Sequence, residues 1–467
     1  MTPALSEEKE TKETLKGLLL GRKNLHPTRI VVVGFLLVIL LGAFLLTLPI
    51  ASRDGTWTHP LTCLFTATSA TCVTGLVVVD PWIHWSLFGQ IVILCLIQIG
   101  GLGFISVFSL VSFAFHRRIS LSERMVMGSN FNLNGLDGVV RLVRHAVYGT
   151  LLLEGTGAVL LASQFIPEYG VLGGVWRGIF HAVSAFCNAG FDILGDHGAF
   201  LNLIPYAGNP VICLTIAALI VVGGLGFFVW EDVLQHKKWS KLSLYSKLVL
   251  LCTGTLIVVG FCYFLAAEWN NPNTLGALPA AQRPLAALFQ SVTLRTAGFA
   301  TIDQGALYDT SKGVSIVFML IGGSSGSTAG GIKTVTVFTV LMAVRAGLTG
   351  REEITVRDRA VSHRQAFNAM VLAFFVTLLL MGGTFIIALA DRTALLDTAF
   401  EVASALGTVG LTTGITPDLS AISRWVLIAC MYLGRVGVLS FSVALIAKKK
   451  SVVQEQVKHP VVNFMIG

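Results

Sequence analysis

LFTATSATCVTGL (64–76), IFHAVSAFCNAGF (179–191), LFQSVTLRTAGF (288–299) and AFEVASALGTVGL (399–411) are four copies of one segment. Each begins at a phenylalanine (Phe65, Phe180, Phe289, Phe400) and runs through small residues. Each ends at Gly75, Gly190, Gly298 or Gly410, followed by Leu or Phe. The glycines recur about every 110 residues, a period long enough for a supersecondary unit. The mildly polar stretches that hold them (Leu61–Cys72, Trp176–Cys187, Pro284–Arg295, Leu395–Gly407) are about 12 residues long, too short to cross a bilayer. On either side lie long apolar stretches centred near residues 40, 100, 155, 220, 256, 325, 378 and 435. They predict eight full membrane spans, with the short segments entering the membrane and turning back.

Composition supports a bilayer setting. Hydrophobic residues make up 54% of the 467 positions and charged residues 12%, and mean hydropathy is +0.77. A soluble domain carries about a quarter charged residues. The net charge of +8 raises the question of nucleic acid, but the basic residues cluster in particular loops, which reads as membrane topology and predicts no nucleic-acid partner. The eight cysteines have no CxxC spacing and lie in or beside apolar stretches, as small buried apolar residues do. The first 28 residues are polar, without the apolar core and cleavage site of a signal peptide.

Charge orients the whole. Arg117, Arg118, Arg124, Lys237, Lys238, Lys241, Arg345, Arg351, Lys448, Lys449 and Lys450 fall in one set of loops, and Asp80, Asp192, Asp196, Glu268, Asp309 and Asp418 in the other. The positive-inside rule then places both termini in the cytoplasm and all four short segments at the outer face.

A second motif repeats in step with the first: IGGLGF (99–104), VGGLGF (222–227), IGGSSG (321–326) and LGRVGV (433–438). Small residues recur in membrane helices for packing alone, but packing does not explain two motifs in fixed order four times. The expected fold is an all-α polytopic membrane protein of four tandem span–pore-helix–span units, with eight transmembrane helices and four re-entrant pore helices around one central pore. Its divisions are a cytoplasmic arm (1–27), pore units 28–125, 126–240, 241–350 and 351–450, and a cytoplasmic tail (451–467).

Irregular backbone at membrane depth survives only where protein buries it or water lines it. Four such segments meeting on an axis can aim carbonyl oxygens at a cation in place of its water. Thr408-Val409-Gly410 matches the TVG of potassium-channel filters residue for residue. On these motifs the chain resembles the Trk/Ktr/HKT superfamily of potassium transporters over residues 28–447. It is closer to the KtrB type than to the Trk type, which carries an extra pair of spans ahead of the first unit.

The resemblance implies a filter of Val73-Thr74-Gly75-Leu76, Asn188-Ala189-Gly190-Phe191, Thr296-Ala297-Gly298-Phe299 and Thr408-Val409-Gly410-Leu411. K⁺ at this filter is the one metal expected, as cargo, and no cofactor is expected in the chain. The resemblance further implies stimulation by external Na⁺, a homodimer in the bacterial inner membrane, and docking on a cytoplasmic ring of nucleotide-binding subunits of the KtrA/TrkA kind. Gly75 stands where strongly sodium-admitting relatives carry serine. Only the fourth strand has the channel sequence, so selectivity looser than a channel's is expected.

Gly322, Gly323, Ser324, Ser325, Gly326, Ser327, Thr328, Ala329, Gly330 and Gly331 cannot hold a stable helix. A phosphate loop is one reading of this run, but Ile332 interrupts GxxxxGK[ST] and no strand precedes it. Close helix packing is another, and a break in the span lying across the conduction path a third; the resemblance places a gating loop here. Arg435, in the last span, reads as pore-facing or as snorkelling to the surface, and Lys333 reads equally as part of a gate or as snorkelling. Glu401 and His181 follow the pore-helix phenylalanines and read as hydrogen-bonded within pore-helix packing; Glu154 lies alone in an apolar span. No grouping of residues suits an enzyme. A secondary cation transporter coupled to Na⁺ or H⁺ is the alternative function, although its inverted repeats do not fit four parallel units.

Overall fold

The structure, a computed structural model, describes residues 27–103, 139–351, 353–356 and 359–437. The arm before residue 27, the boundary at 125/126, Arg117, Arg118, Arg124, Lys448 to Lys450 and the tail 451–467 lie outside the described residues.

The first repeat opens with α1 (Pro27–Thr47), apolar from Ile30 to Leu46 and roughly 30 Å long. It continues through α2 (Pro60–Thr71), the short α3 (Pro81–His84) and α4 (Leu87–Leu102). In the second repeat α5 (Val139–Phe186) carries a non-helical kink at Gly170, so the span and the short segment after it are two helices that meet there. Next come α6 (Pro210–Leu225) and α7 (Phe227–His236). The third repeat holds α8 (Leu244–Glu268), α9 (Arg283–Thr293), α10 (Asp309–Leu320) and α11 (Thr334–Leu348). A two-stranded antiparallel hairpin, β1 (Ile354–Val356) with β2 (Arg359–Val361), leads into α12 (His363–Asp391), α13 (Leu395–Gly407) and α14 (Ala421–Val436).

Local chemistry sets the helix starts. Proline stands at the first positions of α2, α3 and α6, where its missing N–H costs nothing. Asp80 and Asn209 cap α3 and α6 through two backbone N–H groups each. Ser86, Ser243, Ser362 and Ser420 cap α4, α8, α12 and α14. The phenylalanines that open the four short segments are fully buried. Inside lipid there is little hydrophobic drive between helices, so dispersion contacts of this kind hold the assembly.

Not all of the eight expected spans are single long helices among the described residues. Among the described residues four helices are by themselves long and apolar enough to cross a membrane: 29–47, 143–186, 244–268 and 363–391. The closing helix of each repeat stops or breaks instead. α4 ends at Gly103 and α14 at Gly437; at Gly226 the chain turns by 93° from α6 into α7; after α10 it runs without helix to Lys333. Gly103, Gly226 and Gly437 have φ of 78°, 92° and 86°, with ψ between 130° and 143°. That region is closed to residues with a Cβ. Each is the last glycine of the second motif, and Gly326, its counterpart in the third repeat, has φ 70°.

The earlier glycines of the motif pack closely. A Cβ on Gly223 would lie 2.1 Å from the Phe186 carbonyl oxygen and 2.9 Å from Thr328 Oγ1. Gly223→Ala is therefore expected to lower the melting temperature of the purified protein by about 2–6 °C, the effect of overpacking by about 1–3 kcal/mol. Gly254→Ala, where a Cβ meets nothing within 4 Å, should leave it unchanged in the same fluorescence melt.

Candidate functional site

The four short helices deliver their C-terminal ends to one place, and the strands that follow close into a ring. A Cβ on Gly75 would come within 2.4 Å of the Ala189 carbonyl oxygen, one on Gly190 within 2.7 Å of Ala297 O, one on Gly298 within 2.5 Å of Val409 O, and one on Gly410 within 2.1 Å of Thr74 O. Each glycine thus faces the residue before the glycine of the next repeat, and the fourth faces the first. All four have positive φ, from 70° to 97°, and so do Val73, Asn188, Thr296 and Thr408 two places earlier, from 51° to 63°. Left-handed conformation is uncommon for residues with a Cβ, and its recurrence at one position in every repeat marks a backbone shape imposed on all four strands.

Hydroxyls four residues after each phenylalanine hold that shape. Ser69 Oγ accepts from Gly75 N and Ser404 Oγ from Gly410 N, both at 3.0 Å. Ser184 Oγ donates to Phe191 O at 2.7 Å and Thr293 Oγ1 to Phe299 O at 2.5 Å. The carbonyls of the same four residues accept from Thr74, Ala189, Ala297 and Val409 N–H. The sequence reading missed these residues, although a hydroxyl at one place in all four copies was visible. The side-chain hydroxyls of Thr74 and Thr408 are buried and have no protein hydrogen-bond partner. Helix C-termini carry partial negative charge, so the ring is a region that favours a cation.

The Gly/Ser segment of the third repeat packs against this ring. It doubles back on itself through Gly322 N to Ile332 O (2.9 Å) and Thr334 N to Gly323 O (3.0 Å). It is tied to the second repeat by Ser324 N to Gly224 O (3.1 Å), Phe227 N to Gly326 O (3.0 Å) and Thr328 Oγ1 to Phe186 O (3.0 Å). Ser325 O accepts from Tyr245 of α8, and Ser327 Oγ donates to Ser324 O. Against the fourth repeat, a Cβ on Gly330 would sit 2.0 Å from Thr408 Oγ1, and one on Gly331 3.2 Å from Gly407 O.

Arg435 does not snorkel. Its guanidinium donates to Thr328 O in this segment, to Gly100 O at 2.5 Å and to Gly101 O at 3.2 Å. It therefore links three repeats. Lys333 Nζ folds back to Ala329 O at 2.8 Å.

Other singled-out residues find partners far away in sequence. Glu154 accepts from Gln98 Nε2 at 3.2 Å and from the Cys187 thiol at 3.8 Å. His181 bonds only within its helix, Nδ1 to Arg177 O at 2.8 Å. Glu401 departs from expectation: it reaches past its helix to the segment after Gly410. Two cysteines, Cys95 and Cys262, are exposed on the helix surface rather than buried, because α4 and α8 each present an outward face. In the loop after the second strand Asp192 accepts from Leu194 N and Asn202 Nδ2. Burial and the nearby Asp80 carboxylate push its carboxyl up to about 7, so near neutrality it is only partly charged.

This arrangement is that of a membrane transporter of cations, and comparison with known proteins agrees. The TrkH cation transport protein family matches residues 19–455, and the chain belongs to that Trk/Ktr family. It is a transporter and not an enzyme. It is 40% identical over 451 residues to the potassium/sodium uptake protein NtpJ of Enterococcus hirae, covering 96% of this chain and 98% of that one. To the Ktr system potassium uptake protein B of Bacillus subtilis it is 37% identical over 418 residues, covering 89% and 92%. The crystal structure of the potassium transporter TrkH from Vibrio parahaemolyticus superposes with a TM-score of 0.68 at 18% identity, covering 89% of this chain and 85% of that one; it has the same fold.

Proposed function

We propose that the chain is the K⁺-selective ion-translocating subunit of a bacterial potassium-uptake system, passing ions by gated, channel-like flux down the membrane potential. The observation that carries this reading is the closed ring of four left-handed, glycine-ended strands, with backbone oxygens at every step and two unpartnered threonine hydroxyls beside it. Its filter is residues 73–76, 188–191, 296–299 and 408–411, and its gate is residues 322–331 with Lys333 and Arg435. Eight crossings, as read from the sequence, make up four pore units with the boundaries read from the repeat. The names of the relatives support K⁺ as cargo and a working partnership with other Ktr components. A homodimer on a cytoplasmic nucleotide-binding ring extends that reading, and the name of NtpJ favours a part for Na⁺.

Purified protein in planar bilayers under a K⁺ gradient tests it. A reversal potential that follows the K⁺ gradient is expected; K⁺ moved against its own electrochemical gradient by a Na⁺ or H⁺ gradient would establish the coupled transporter instead. Topology follows from the same reading. Cysteines introduced at Asp196 and Asp309 should react with an impermeant maleimide in intact cells, and one at Lys238 only after permeabilisation. The reverse pattern would turn the ring to the wrong face for uptake.

A further inference from the structure

We infer that Glu401 is a positioning residue for ion selection, bracing the outer end of the fourth strand from behind. The inference rests on the ring being the filter. Glu401 is fully buried in α13, one residue after Phe400. Its Oε1 accepts from Thr412 Oγ1 at 2.5 Å and Thr413 N at 2.9 Å, and its Oε2 from Thr416 Oγ1 at 2.6 Å. Thr412 Oγ1 in turn accepts from Gly414 N at 2.9 Å. All of these groups belong to the five residues that follow Leu411, so the carboxylate fixes the chain where it leaves the ring. On the other side of that chain, a Cβ on Gly305 of the third repeat would come within 2.6 Å of Thr413 O. The segment is held between the two.

The four repeats are unequal at this position. In the third, Gln290 takes the place of Glu401 and exchanges two hydrogen bonds with Gln304, at 2.7 and 3.0 Å, beyond the third strand. In the first, the Thr66 hydroxyl has no partner. In the second, His181 Nε2 has none and its Nδ1 stays within its own helix. Two adjacent strands are braced from behind, and the fourth has the more extensive brace, because Glu401 uses both carboxyl oxygens on three residues where Gln290 meets Gln304 alone. A carbonyl cage discriminates between ions of different radius only while its oxygens keep their spacing and number. Loosening this end of the fourth strand lets the cage shrink onto the smaller ion.

The test uses full-length protein in proteoliposomes, with the K⁺/Na⁺ permeability ratio read from bi-ionic reversal potentials. Glu401→Val should lower the ratio about three- to tenfold, the scale of losing one buried hydrogen bond. Glu401→Gln, which keeps an oxygen for Thr412 and Thr413 and offers an N–H to Thr416, should retain most of it. A Glu401→Val protein that melts and selects as wild type overturns the inference. So does one whose yield and total flux fall at an unchanged ratio, since that is a folding role. If Glu401→Val does not fold, Thr416→Val removes the bond to Glu401 Oε2 together with the 3.2 Å contact to Thr412 Oγ1, and an unchanged ratio there overturns it equally. Gly410→Ser runs alongside: a changed ratio there with unchanged Glu401 variants rejects only the brace, and no change in any of them rejects the filter as well.

Discussion

Gly410→Ser is expected to lower the K⁺/Na⁺ permeability ratio by about tenfold or more, or to abolish conduction. At φ 93° a residue with a Cβ is strained by about 1–3 kcal/mol. The larger effect is contact. The new Cβ would stand 2.1 Å from Thr74 O, an atom of the ring itself, so relief has to come from moving an oxygen of the proposed filter. One kcal/mol is already about fivefold in an equilibrium, and 1.4 is tenfold. Gly75→Ser, at 2.4 Å from Ala189 O, should act in the same sense and somewhat less. Gly254→Ser, in open space on α8, should change nothing. Bi-ionic reversal potentials for the three variants decide the matter: ratios at 410 and 75 equal to that at 254 would remove the ring from any part in selection.

Arg435→Ala is expected to raise K⁺ flux about tenfold or more and to weaken its dependence on the regulatory partner. Two effects act in one direction. A unit positive charge beside the proposed ion path repels a passing cation, by about 4 kcal/mol at 4 Å and an effective dielectric near 20 and less with distance, and alanine removes it. The same change releases Thr328 O, Gly100 O and Gly101 O from the guanidinium, so the Gly/Ser segment loses its tie to the first repeat. Removal of several residues from 324–329 should increase flux likewise. The permeability ratio should stay near wild type in both, because the ring's own glycines and hydroxyls are untouched. Flux assays with and without the partner subunit, at matched protein density, read the result; wild-type rate and wild-type regulation in both variants would discard the gate.

The short helices were legible almost to the residue: Leu395–Gly407 was read from sequence and is α13, and Pro284–Arg295 lies within one or two residues of α9. Phenylalanine at the start and glycine after the end are local signals, and four copies make them plain. The helix ends at Gly103 and Gly437 and the turn at Gly226 were not legible. A glycine that packs inside a membrane helix and one that ends it share a letter, and only the neighbouring chain decides between them, as Ser324 and Ser325 do against Gly226. The Gly/Ser run was recognised because no helix tolerates that composition. The partners of Glu154 and Arg435 were out of reach for a different reason: Gln98 and Gly100 come from another repeat, and no periodicity in one stretch encodes a meeting between two. Glu401 was noticed, but its bonds run to residues 11 to 15 places on, beyond any helical spacing.

The closure of the ring bears on how the protein is made. Its last contact joins Gly410 to Thr74, so synthesis must proceed through nearly the whole chain before the circle exists. Until then, on the proposed reading, the carbonyl groups of three strands lie with one side of the circle open, where hydrocarbon gives them no partner. The nascent chain must therefore hold these strands in a sheltered, watery setting, or delay their descent, while the rest is translated. A protein assembled from four separate chains meets its partners after each is finished. Here the order of assembly is written into a single reading frame, and a ribosome that stops early leaves no smaller working pore behind.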